Sequence, residues 1–218
     1  MRKIASIALV GALALSAAAC GNNDDKASSK TNAADSKKPV AQIDNLTGKM
    51  TEVTLDSAFV AGLQSLKLTP APVGNAKISA QGVASFPITG GSATYYKPGT
   101  VDPYVQGLIH HDGSGLSLTG GGIKVELTNF DVDPGKSMLF GDVSANGTSV
   151  VQNAPLFFLD GSTLQPLRTE GSDAILEGTQ VKLTKAAADL LNMTYKTTAV
   201  KEFALVGVAK ITLAVPAK

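Results

Sequence analysis

The chain has 218 residues, a formal net charge of +1 and a single cysteine. Its 19 basic residues against 18 acidic ones exclude the strongly basic surface that nucleic-acid binding asks for, and one cysteine excludes an intrachain disulfide framework. Frequent Gly, few aromatics and no Trp describe a chain of short strands and turns.

The N-terminus reads as an export leader. Arg2 and Lys3 are followed by an uncharged run from Ile4 to Ala19, shorter than the roughly 20 apolar residues that span a bilayer. A basic start, a short apolar middle and small residues at the end define a signal peptide over 1–19. Ala17-Ala18-Ala19-Cys20 resembles the lipobox of bacterial lipoproteins, where the cysteine thiol is diacylated before the leader is cut. A plain cut after Ala19, leaving a free thiol, is the competing reading. Two acyl chains hold a protein stably on a membrane, where one holds it only marginally. The expected location is therefore the cell surface or the periplasmic side of a membrane. Losing Arg2 and Lys3 takes the 19 basic residues to 17 against 18 acidic, so the mature chain is close to neutral.

Residues 20–45 are rich in Asn, Asp, Lys, Ser and Ala. Such a stretch buries too little apolar surface to offset its ordering entropy and reads as a disordered polar tether. Residues 46–218 then form one domain of ordinary size.

Within the domain apolar and polar residues alternate over short segments bounded by Gly, Pro, Asn or Asp. Thr51 to Leu55 is one such strand. Asp56 can cap a helix running to Leu66, with Phe59, Leu63 and Leu66 on one side. His110 and His111 are adjacent, so a strand sends them to opposite faces and they cannot ligate one metal together. Gly113-Ser114-Gly115 and Gly120-Gly121-Gly122 suit hairpin turns, and neither matches a nucleophile elbow or a phosphate loop. Ile123, Val125 and Leu127 share a face. The phase then flips to Phe130 and Val132, which predicts a bulge near Asn129. Asp131 to Gly135 reads as a strand ending in a Pro-Gly turn. Thr184 caps a second helix over Lys185 to Thr194. Phe203 to Val215 is a long final strand, with Ile211 and Leu213 facing the core. The pattern predicts a mostly β fold: a two-sheet β-sandwich whose open ends are closed by two short helices.

No catalytic constellation emerges, and the expected class is a non-enzymatic binding module. Tyr95, Tyr96, Tyr104, His110 and His111 cluster along the sequence. Tyr95, Tyr96 and His111 are the candidate ligand-binding residues, because amphipathic side chains line pockets well. A small ligand, a cell-wall polymer or a surface protein are the partners such a module could take.

Several stretches resemble the HtaA family of actinobacterial surface domains. These are the first helix with Ser57 and Phe59, then Phe86 to Gly91, Gly107 to Leu116, Val125 to Phe130, Gly141 to Ser144, Leu156 to Asp160 and Leu183-Thr184, in that order. The resemblance implies an exported β-sandwich with small helices. It also implies haem binding, with iron held by a Tyr that a His supports. The family's ligand Tyr lies on the first helix four places after a Ser, and counting from Ser57 gives Ala61. Tyrosinate is an established haem-iron ligand, and Ala61 offers none. Haem at the family site is therefore not the favoured cofactor, and a haem carrier here would use Tyr95, Tyr96 or His111. His111 corresponds approximately to the family's His ahead of its Gly-x-Gly-Leu turn.

Replacing Cys20 by Ala is expected to release the protein from the membrane fraction and to abolish palmitate labelling. A variant that fractionates with membranes as wild type does would refute lipidation.

Overall fold

The computed structural model describes residues 37–214. The leader, Cys20 and most of the tether lie outside the described residues. The elements are β1 (Ala41–Ile43), β2 (Lys49–Leu55), α1 (Ser57–Ser65), β3 (Thr69–Gly74), β4 (Lys77–Ile78), β5 (Val83–Pro87), β6 (Gly90–Tyr95) and β7 (Val105–Gly120). They continue with β8 (Ile123–Asp133), β9 (Met138–Ala145), β10 (Thr148–Asp160), β11 (Arg168–Glu170), β12 (Asp173–Leu183), α2 (Lys185–Tyr195) and β13 (Leu205–Ala214).

The mostly β character with two helices is as the sequence predicts, but the sheet is continuous. Its strand order is β1-β6-β7-β8-β9-β10-β12-β13-β2-β5-β4, with β11 added beside β12 and β3 beside β7. A sandwich of two separate sheets was expected. Instead one antiparallel sheet curls into a half-barrel, and bends rather than breaks separate its walls. The turn between β5 and β6 joins distant parts of the curl. Ile88 N–H donates to the Lys49 carbonyl at the start of β2, and the next residue, Thr89, donates to His110 on β7, both at 2.8 Å.

Bulges produce the bending. Asn129 has φ +53°, a conformation Asn tolerates better than most residues, and β8 slips register on both sides of it. The slip reverses parity, so Val125 and Leu127 share the inner face with Phe130 and Val132. This is the predicted bulge. Its irregularity continues into neighbouring strands through side chains. Asn129 accepts from Gly113 N–H at 3.0 Å and donates to Asp142 on β9 at 2.9 Å, and Asp142 accepts from Asn153 N–H on β10 at 2.9 Å. The crease thus crosses four strands.

Gly113-Ser114-Gly115 is part of this crease and not the expected hairpin, since β7 runs straight through it. Gly120 to Gly122 is the hairpin. Gly121 and Gly122 have φ +58° and +78°, a left-handed pair open to glycine at little cost. Asp133 ends β8 and caps a short 3₁₀ turn over Pro134–Lys136.

Both helices have the predicted caps. Asp56 accepts from the N–H groups of Ala58 and Phe59, and Thr184 from that of Ala187. Leu63 of α1 and Ala187 and Leu191 of α2 enter the core. The Tyr195 hydroxyl ties the end of α2 to the Leu118 carbonyl at 2.6 Å. Ahead of Leu46, Ala41–Ile43 pairs with β6, and Ile43 and Leu46 are buried in the core.

Of the predicted inward positions, Val125, Leu127 and Leu213 are buried, while Ile123 and Ile211 are half-buried against the same core. Leu127→Ala is expected to cost about 2–5 kcal/mol, the usual range for a core Leu. Urea unfolding measures this, and a midpoint unchanged from wild type would put Leu127 outside the load of the core.

Candidate functional site

The curl encloses a cavity of about 330 Å³ lined mainly by apolar side chains from β2, β5, β7, β8, β9, β10, β12 and β13. Its polar interior feature is His111. This ring is 1% exposed, edge-on to Phe86 with centroids 6.5 Å apart. Phe86 in turn stands edge-on to Phe130 at 5.4 Å.

The hydrogen bonds of His111 assign its proton. A carbonyl only accepts, so Nδ1–H donates to Phe130 O at 3.1 Å. Nε2 is then the acceptor, and the Thr51 hydroxyl donates to it at 2.8 Å. Burial pushes the imidazole pKa from 6.5 down to about 4, with the Phe130 carbonyl opposing. His111 is therefore a neutral imidazole set in an apolar wall. Its neighbour His110 points outward as predicted, donating from Nδ1 to Asp131 at 2.5 Å on the half-exposed outer face.

The three sequence candidates are not brought together. Gly90 pairs with His110 and Tyr95 with Val105, so Tyr95 and His111 lie at opposite ends of the β6–β7 ladder. At ~3.3 Å per residue the six steps from Val105 to His111 are roughly 20 Å along the strand. Tyr95 is buried beside a separate small void of about 20 Å³, and its hydroxyl accepts from Leu167 N–H at 3.4 Å. Tyr96 sits just past β6, its N–H donating to the Tyr104 carbonyl at 2.7 Å. Neither Tyr95 nor Tyr96 lines the cavity; His111 does. Tyr104 is the tyrosine at the cavity wall, edge-on to Tyr95 at 5.8 Å, and burial, then the nearby Tyr95, raises its pKa. Asp102, Tyr104, Ser137 and Ser162 bring polar groups to the loop end of the cavity.

Thr51 is the partner that sequence reading missed. It shares a strand face with Val53 and Leu55, and all three line the cavity. A polar residue on an otherwise apolar face was the available signal. Ala61 lies on the exposed side of α1, outside the cavity lining. Among the described residues no cluster of three or more His, Cys, Asp or Glu could hold a metal ion.

The lowered pKa of His111 fixes a pH dependence. Its neutral form is the folded form, so stability is complete above the unfolded value near 6.5 and falls as pH drops toward 4. The loss is on the order of 3 kcal/mol, at about 1.4 kcal/mol per pKa unit. His111→Gln keeps polar contacts without titrating, and urea unfolding at pH 7 and pH 4.5 should show a smaller acid loss in the variant than in wild type. Equal losses would mean that His111 is not buried neutral.

No family model matches the sequence, and no curated protein matches it. Solved structures do. The C-terminal domain of HtaA from Corynebacterium glutamicum superposes with a TM-score of 0.53 at 12% identity, covering 78% of this chain and 98% of that one. A haem-binding protein, HtaB from the same organism, aligns with a TM-score of 0.46 at 12% identity, over 80% of this chain and 96% of its own. The chain has the HtaA-domain fold that its sequence resemblance implies.

Proposed function

We propose that this chain is an exported lipoprotein, anchored through Cys20, whose domain is a non-catalytic module that binds a largely apolar small molecule inside the curled sheet. The cavity carries the reading: a packed interior at native density leaves few voids larger than a water, yet this one holds about 330 Å³ among apolar walls. Concave, mostly apolar sites with a few placed polar groups are the general form of small-ligand pockets. His111, the cavity's one imidazole, is committed at Nδ1 to a carbonyl and at Nε2 to a hydroxyl, which suits a recognition element better than a general base.

Haem is the second reading, favoured by one observation. A neutral imidazole with Nδ1–H on a carbonyl has the tautomer of a metal ligand, with Nε2 free to coordinate once Thr51 turns away. Ala61 supplies no tyrosinate, and the positions of Tyr95 and Tyr96 do not favour either as a ligand beside His111.

Titrating the apolar dye N-phenyl-1-naphthylamine into the exported Cys20→Ala chain should give a saturable fluorescence gain. Ala209→Phe, which grows into the cavity from β13, should abolish it while circular dichroism stays native. Dye binding that survives the filled cavity would place the site elsewhere. Hemin should give no sharp Soret band with wild type, whereas a sharp band lost in His111→Gln would make haem the leading reading.

A further inference from the structure

We propose that the cavity takes an amphiphile with a long hydrocarbon tail, acyl or prenyl, and an uncharged head, seated tail-inward with its head at the rim near Asp102 and Tyr104. The inference rests on the cavity being a binding site and adds the class of molecule it accepts.

Length comes first. Tyr104 lies at the loop end just before β7, and His111 lies deep on that strand. The six steps from Val105 to His111 at ~3.3 Å each span roughly 20 Å, a slot rather than a round pocket. Polarity comes second. Deep in the slot the His111 ring nitrogens and the Thr51 hydroxyl proton are all engaged by protein. The inner part of a ligand therefore meets hydrocarbon such as Leu116, Phe130 and Val181, and a polar group placed there would be desolvated without return. Polar groups gather instead at the rim, where Ser137 and Ser162 join Asp102 and Tyr104.

Charge decides the head. Among the described residues lining the cavity there is no Lys or Arg, and the exposed rim residue Asp102 is an acid. The basic residue next to Ser137 is Lys136, whose ammonium pairs with Asp133 at 2.8 Å and lies 5.6 Å from the Phe140 ring centroid. A fatty-acid carboxylate, or a pair of porphyrin propionates, would thus meet an acid and no basic side chain among the described lining residues. An ester or alcohol head pays no such penalty and can hydrogen-bond to hydroxyls.

The test displaces N-phenyl-1-naphthylamine from the exported Cys20→Ala chain at pH 8. The competitors are monoolein, geranylgeraniol, oleate and hemin, each below its aggregation concentration. Monoolein or geranylgeraniol should compete about tenfold better than oleate, a gap of ~1.4 kcal/mol, and which of the two does so separates acyl from prenyl tails. Asp102→Lys, a change at an exposed residue, should close most of that gap by strengthening oleate relative to the neutral competitor measured on the same variant. Oleate equal to the neutral lipids in wild type, or a gap untouched by Asp102→Lys, overturns the head assignment. Displacement by hemin alone overturns the ligand class and leaves cavity binding standing. Failure of the dye to bind at all would overturn cavity binding, and this proposal with it.

Discussion

A single sheet that curls must turn one face into a shared interior, and the contact that spans this interior is the hydrogen bond from Thr51 to His111. It joins β2 to β7, the ninth and third strands in the sheet order. The strands are remote along the ladder and adjacent across the hollow. The bond is buried and fixes the imidazole as a neutral acceptor at Nε2, with the Phe130 carbonyl fixing Nδ1. Around it Phe86 stands edge-on to both the imidazole and Phe130, and all of these side chains line the cavity.

Much of the local structure was legible. The caps at Asp56 and Thr184 combine a short polar side chain with a following apolar period of 3.6, and both caps form as read. The bulge at Asn129 showed itself as a parity flip, because a strand keeps one face inward only if an extra residue absorbs the change. Gly113-Ser114-Gly115 misled because a glycine pair around a small residue serves a hairpin and a bulge alike. Only the pairing of β7 across it distinguishes the two. Whether the strands form one sheet or two was not legible at all. Alternation reports which side of a strand is buried and is silent on whether facing walls belong to one ladder or two.

The site was partly legible for the same reason. His111 was singled out and does line the cavity, but Tyr95 and Tyr96 were joined to it by closeness in sequence. Tyr95 and Val105 flank the loop and pair with each other, so His111, six residues farther along β7, lies at the other end of the ladder. Tyr104, which does reach the cavity, sits in the loop before β7 where no periodicity marks its direction. The likeness to HtaA concerns the scaffold, and on that scaffold Ala61 faces away from the hollow.

Four strands have one neighbour each among the described residues: β1, β3, β4 and β11. Open strand edges invite other chains to add by backbone pairing. Three of these edges are three residues long or shorter. The fourth, β3, contains Pro70 and Pro72, which bring no N–H to a would-be partner strand. These four margins are thus too short or too poor in donors to template a neighbour.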